Sequence, residues 1–181
     1  MIARVLWIDR AAILFLPKIR RPWLNPLMIA LSFTGSGFIW FPGAAVMIAA
    51  YAKGVNLIPR HELFLACMTG SLFSLIAGQI MKRIVRRARP HREIGGHRVI
   101  GMVHNDYSMP STHTSTSMAV FTGCLLHGHP WAAFLGPWAL AVMFSRYYLG
   151  VHFPTDLLAG AVLGAGFAVV DWQPLLRALF M

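Results

Sequence analysis

The sequence predicts an all-α fold: an integral membrane helical bundle of about five transmembrane helices, with interfacial amphipathic helices at its N-terminus. Two observations carry this. Of 181 residues, 57% are hydrophobic and only 12% charged, and mean hydropathy is +0.60; a soluble domain carries about twice that charged share. Apolar stretches close to the roughly 17–25 residues that cross a bilayer recur from residue 36 to residue 172.

The elements follow in order. Residues 2–17 read as an amphipathic helix lying in the interface. Their apolar run, Ala11 to Pro17, is bracketed by Arg10 and Lys18 and is too short for a convincing signal peptide. Segment 23–35, with Pro26 and Gly35, reads as a second interfacial or re-entrant piece. The spans expected are 36–52, 62–82, 112–127, 131–149 and 154–172. The third opens on Thr112-His113-Thr114-Ser115-Thr116-Ser117, and such polar residues must face protein or a water-filled cavity. Pro110 and Pro154 are placed to open the third and fifth spans at the first helical position, and Gly150 to stop the fourth. The connection from about Arg83 to Met109 is long, basic and irregular, which in a compact domain marks function or disorder. Cys67 and Cys124 lie in apolar stretches and read as small buried hydrophobes rather than a disulfide or a metal pair.

Charge is scarce but one-sided: 16 Lys and Arg against 6 Asp and Glu, a formal +10. A mostly apolar chain with concentrated positive charge calls for an anionic partner, either phosphate groups or acidic lipid headgroups. Nucleic acid is excluded from the expected partners, because no nucleic-acid fold signature accompanies the charge.

Three short segments fall on one face of the five-span arrangement. The first runs from Lys82 to Arg89-Pro90. The second is Pro110-Ser111-Thr112-His113. The third is Ser145-Arg146, then His152, then Asp156. A phosphoryl group carries charge on three oxygens and needs fixed cations and donors around it. Lys82, Arg89 and Arg146 can supply the cations, and arginine adds planar bidentate contacts. Ser111 adds a hydroxyl. With a helix starting at Pro110, the N–H groups of Ser111 and Thr112 are free helix-end donors. Taken singly, each residue has a plainer reading: an interfacial histidine, an acid complementing a helix dipole, a snorkelling arginine, a polybasic juxtamembrane patch, a helix cap. Ionisable groups near a membrane are too costly to converge by chance.

Together the segments resemble the signature KxxxxxxRP, PSxH and SRxxxxxHxxxD of the type 2 phosphatidic acid phosphatase (PAP2) superfamily, by motif over residues 82–156 and by span pattern over the whole chain. Thr112 stands where that family often has glycine. The resemblance implies a metal-independent, cofactor-free lipid phosphatase in one domain, 1–181, with a catalytic core over 36–172. It also implies that His152 attacks phosphorus, Asp156 orients and stabilises its ring, and His113 protonates the leaving oxygen and then activates water. Lys82, Arg89, Ser111, Thr112 and Arg146 would hold the phosphate. Undecaprenyl diphosphate and phosphatidylglycerol phosphate lead the candidate substrates, ahead of phosphatidate and lipid A. Rival readings are a lipid phosphotransferase with the same intermediate, a vanadate-dependent haloperoxidase, and a non-catalytic polybasic lipid-binding or transport protein.

The other basic residues of the connection, Arg83, Arg86, Arg87, Arg92 and Arg98, fall outside the signature and read as contacts to a second phosphate, a headgroup or anionic lipid. His91, His97 and His104 read as solvated or lipid-facing. Sidedness divides the signals. The active face carries Arg4, Arg10, Lys18, Arg20, Arg21, Arg146 and the basic residues of 82–98, whereas the other carries Lys53, Arg60 and Arg177. That count puts the active face in the cytoplasm; the resemblance puts it outside the inner membrane, and the latter is the expectation taken here.

Overall fold

A computed structural model describes residues 6–53, 61–102, 106–170 and 172. The eight α-helices are α1 (Trp7–Ile19), α2 (Asn25–Thr34, after a 3-10 turn at Pro22–Leu24), α3 (Gly37–Ala52), α4 (His61–Val85), α5 (Pro90–Glu93), α6 (Thr112–Leu126), α7 (Ala132–Tyr148) and α8 (Pro154–Ala168). No strand occurs among the described residues. His104, Arg4, Arg60 and Arg177 lie outside them.

The bundle is built around α6, which packs on α4, α7 and α8. Its first half is polar, yet Thr112, Thr114, Ser115, Thr116 and Ser117 are all buried. Most of the hydroxyls satisfy themselves locally: Ser115 donates to Thr112 O (3.1 Å) and Ser117 to Thr114 O (3.1 Å). A helix whose side chains bond its own carbonyls can stand inside a bundle without orphaned polar atoms. The small residues also allow close approach. A Cβ on Gly160 of α8 would sit 2.5 Å from Ser111 O. The backbones of α6 and α8 therefore meet where only hydrogen fits between them, the small-residue contact common in membrane bundles.

The exterior is apolar. Ile76, Ile80 and Ile84, one stripe along α4, are 45%, 54% and 65% exposed, and Phe134, Leu158 and Val162 are exposed on α7 and α8. Large apolar side chains facing outward at this density suit lipid as solvent. Two helical stretches, Pro22–Val46 and Leu63–Glu93, are long and apolar enough to cross a membrane by themselves. The sequence reading begins its first span at residue 36; the structure carries the apolar run back to Pro22, with a break at Gly35-Ser36. Thr116 Oγ1 caps that break by donating to Gly35 O (2.9 Å), and Trp138 Nε1 donates to Thr34 Oγ1 (2.9 Å). Helices α6, α7 and α8 have 15, 17 and 15 residues. At about 1.5 Å per residue they fall short of the roughly 30 Å hydrocarbon core.

One expectation at a helix end changes. Pro154 does open α8 at its first position, and Gly150 (φ 76°) follows α7. Pro110, however, precedes α6, whose N-cap is Ser111. Helix α1 is more than an interfacial strip. Asp9, Ile13 and Leu16, spaced i, i+4, i+7, are buried, the last two against Ile94 and Phe153, while Trp7, Leu14 and Phe15 are exposed. Tyr147 Oη donates to Ala12 O (2.7 Å), tying α1 to α7. Cys67 and Cys124 are free thiols with sulfurs 3.9 Å apart.

Gly160→Leu should lower stability by about 1–3 kcal/mol, the usual cost of overpacking, because the clash is with backbone. Gly166→Ala, where a Cβ meets nothing within 4 Å, should be neutral or slightly stabilising. Unfolding of the purified protein in mixed micelles checks both; equal midpoints would refute the close α6–α8 contact.

Candidate active site

The turn between α7 and α8 presents His152 and is held from every side. Val151 O accepts from Arg89 Nη1 (2.8 Å), Leu149 O accepts from Ile100 N–H (3.0 Å), and Phe153 N–H donates to Asp156 Oδ2 (2.8 Å). Gly150 lets the chain reverse with positive φ, and a side chain there would strike Arg20 and His97. His97 accordingly is half-buried, with Nε2 3.0 Å from Gly150 O, rather than solvated or lipid-facing.

His152 is 1% exposed. Its Nε2 lies 3.4 Å from Arg89 Nη1, and its Nδ1 faces Asp156 Oδ2 at 3.7 Å. The second distance is beyond a hydrogen bond, and the buried Nδ1 has no hydrogen-bond partner among the described residues. Burial, and then the charges of Arg89, Arg146, Lys82 and His113, push the His152 pKa well below 6.5. The imidazole is therefore neutral at neutral pH, the state in which a ring nitrogen has a free lone pair. Those four neighbours also show which predicted residues the fold gathers around the ring.

Arg146 is buried in α7, where Nη1 donates to Ser32 Oγ (2.6 Å) and Nε has no hydrogen-bond partner among the described residues. Lys82, near the end of α4, donates to Asp106 Oδ2 (2.6 Å). Arg89 meets the same carboxylate through Nη2 (2.5 Å) and Nε (3.1 Å). Asp106 is 45% exposed. Burial works to raise its pKa. The hydrogen bond from Lys82 and the charges of Arg89 and Lys82 outweigh that and hold it at about 2. An anionic group thus already sits between two of the three cations.

Ser111 and Thr112 are buried beside α8. Ser111 N–H is not a free donor: it bonds Asp156 O (3.0 Å), because the α6–α8 contact brings that carbonyl onto the cap. Thr112 and His113 occupy the first two helical positions, where N–H groups lack intrahelical acceptors. Both residues, with Arg146, line a cavity of about 750 Å³ whose walls include Ile29, Phe33, Phe41, Leu75 and Met102. Size and apolar lining are those of a small-molecule site with convergent polar groups.

A family model described as the PAP2 superfamily matches residues 63–177. The chain belongs to the PAP2 superfamily. It is 28% identical over 154 residues to the undecaprenyl-diphosphatase of Sulfolobus acidocaldarius, covering 83% of this chain and 70% of that protein. Other curated relatives also carry lipid-phosphatase names. The crystal structure of Aquifex aeolicus LpxE shares the fold at a TM-score of 0.78 and 23% identity, covering 93% of this chain and 97% of that one. A transmembrane PAP2-type phosphatidylglycerolphosphate phosphatase from Bacillus subtilis does so at 0.72 and 22%, covering 96% and 86%. This PAP2 chain is an all-helical membrane protein.

Three residues packed around the His152 cluster escape sequence reasoning: Asp106, Asp9 and Arg87. The sequence places Arg87 at a second phosphate, a headgroup or anionic lipid. Instead it is buried, pairing with Asp9 (Nη2 to Oδ2, 2.5 Å) and with Asp156 (Nη1 to Oδ1, 2.7 Å). The signal was there in the acids. The chain has only 6, and an acid amid apolar sequence needs a partner.

Asp106→Asn leaves Lys82 and Arg89 without their anion. Inhibition by orthovanadate should strengthen about tenfold; an unchanged inhibition constant would show that Asp106 does not compete for the cradle. The acid limb of kcat/KM, which reports the free enzyme, should lie below pH 6.5. Protonation removes the Nε2 lone pair, and the depressed pKa moves that loss to lower pH; a limb above 6.5 would contradict a buried neutral ring.

Proposed function

We propose that this chain hydrolyses the terminal phosphate of a membrane lipid through a phospho-histidine on His152, with residues 1–181 as one catalytic domain. The observation that carries it is the adjacency of two environments: a cationic cradle at His152, and an apolar cavity that reaches it through Thr112, His113 and Arg146. Phosphate fits the first and a hydrocarbon chain the second.

The steps are those the PAP2 resemblance implies, and the geometry is compatible with them. Arg89, Arg146 and Lys82 hold the phosphoryl oxygens, assisted by Ser111 and Thr112. His152 Nε2 forms a bond to phosphorus while the bond to the lipid oxygen breaks, and that oxygen takes a proton from His113. The ring, now cationic, is stabilised by Asp156 at its Nδ1 side. Water then attacks phosphorus, His113 takes its proton, and the N–P bond breaks to release inorganic phosphate. Cationic donors positioned in a buried site supply the charge stabilisation.

Undecaprenyl diphosphate is the first substrate to test. Its terminal phosphate is exposed on a single long chain, and the Sulfolobus relative bears the corresponding name. Phosphatidylglycerol phosphate is the second. The active face is assigned outside the inner membrane. Several of its cations are engaged by the fold and are poor anchors to cytoplasmic headgroups: Arg20 donates to Tyr148 O and Arg98 O, and Lys82, Arg87, Arg89 and Arg146 are buried.

Phosphate release from a lipid panel should fall to background in His152→Ala, by about 10²–10⁴-fold in His113→Ala, and by about 10³–10⁴-fold in Asp156→Asn. Wild-type turnover by His152→Ala rejects the mechanism, and faster turnover of soluble sugar phosphates rejects the lipid. Single cysteines at Gly95 and Lys53 should react with an impermeant reagent from outside and inside respectively; the reverse pattern places the site in the cytoplasm.

A further inference from the structure

Behind the His152–Asp156 pair lies an ion network that the phosphate cradle does not use. Asp9, Arg87 and Asp156 are all buried, with side chains 0%, 3% and 0% exposed. Arg87 leaves α4 through a sharp turn in which Arg86 has φ 52°. Ser108 pins its carbonyl through N–H (2.9 Å) and Oγ (3.3 Å). The guanidinium lies over the Phe153 ring, 4.4 Å from its centroid. Nη1 donates to both Asp156 Oδ1 (2.7 Å) and Thr155 Oγ1 (2.6 Å). Nη2 donates to Asp9 Oδ2 (2.5 Å). Asp9 also accepts Thr155 N–H (3.1 Å) and Thr155 Oγ1–H (2.6 Å).

Each carboxylate oxygen of Asp156 therefore has a separate task. Oδ2 accepts Phe153 N–H and faces His152 Nδ1, while Oδ1 is fixed by Arg87. Arg87 is fixed in turn by Asp9, which arrives from α1. The charges of the three groups sum to −1. A guanidinium paired with Asp156 alone would cancel it, leaving the imidazole that turns cationic during phosphoryl transfer without a counter-charge. Asp9 offsets Arg87 and so preserves the negative charge of Asp156 where the ring meets it. A buried network of this kind is stable only while every member is present.

We propose that Asp9 and Arg87 are positioning residues for phosphoryl transfer: they fix the orientation and net charge of Asp156, and through it the tautomer and aim of His152, without touching the substrate phosphate. The N-terminal helix thereby supplies a group on which turnover depends. The proposal rests on His152 as nucleophile. It concerns the chemical step, so it separates from both a phosphate-binding role and a purely structural one.

The test compares wild type, Asp9→Asn, Arg87→Lys, Arg87→Ala and His152→Ala as full-length purified protein, on one lipid phosphate. Orthovanadate binding counts the folded sites and reads the cradle. Asp9→Asn, which keeps shape and removes charge, should lower kcat per vanadate-binding site about 10–100-fold, with KM and vanadate affinity within about twofold of wild type. Arg87→Ala should lose more, and Arg87→Lys should recover part of that loss. Should Arg87→Ala not fold, Asp9→Asn decides. Wild-type kcat per site in Asp9→Asn, or a loss appearing in KM and vanadate affinity instead, overturns the relay. Activity in His152→Ala overturns the nucleophile and the relay together. An inactive His152→Ala alongside a fully active Asp9→Asn overturns the relay alone.

Discussion

Asp156 is the residue through which the site is assembled. Its carbonyl accepts Ser111 N–H and ties α8 to the cap of α6. Its carboxylate accepts Phe153 N–H, fixing the turn that bears His152, and takes Arg87 from the basic connection. Three separate segments thus converge on one buried acid. Burying a carboxylate is tolerable only when it is paired and hydrogen-bonded. The same contacts that satisfy the charge therefore set the geometry of the histidine.

The rest of the bundle serves that convergence. In water the arrangement would be inverted, with hydroxyls outside and isoleucines inside. Here α6 carries threonines and serines into the centre, and α4 turns Ile76, Ile80 and Ile84 outward. Between helices in lipid, close backbone approach and local hydroxyl bonding replace hydrophobic burial as the glue. Gly160 at the Ser111 carbonyl is one instance, and it lies a single turn from Asp156. Membrane packing and site geometry are in this sense the same contact.

Much of this was legible in the sequence, and the limits have physical causes. The spacing of Lys82, Arg89, His113, Arg146, His152 and Asp156 named the residues that the fold gathers, because chemistry constrains residue type and order. Helix positions were legible from apolar length and from Pro154 and Gly150. Arg87 was not, because a basic residue in a run of basic residues gives no hint of which one turns inward. Asp9 and Asp106 were missed because partners 78 and 17 residues away in the chain leave no periodic trace. The free N–H expected at Ser111 failed for a related reason: a helix cap reads locally, whereas its acceptor, Asp156 O, comes from another helix.

On the proposed mechanism, phosphoryl transfer comes down to a neutral ring held between two charge environments. Arg89 Nη1 lies 3.4 Å from Nε2, with Arg146 and Lys82 adding their charges at the ring, and a carboxylate stands behind Nδ1, where that mechanism develops ring charge. Asp106 fills the cationic side in the resting protein. The most direct measurement is rapid mixing with a lipid phosphate, quenching in alkali to preserve phospho-histidine, and locating the phosphate by mass spectrometry and phosphorus NMR. It should be found on Nε2 of His152, forming and decaying at rates compatible with turnover. Phosphate on Nδ1, on His113, or on no histidine during turnover would contradict the mechanism.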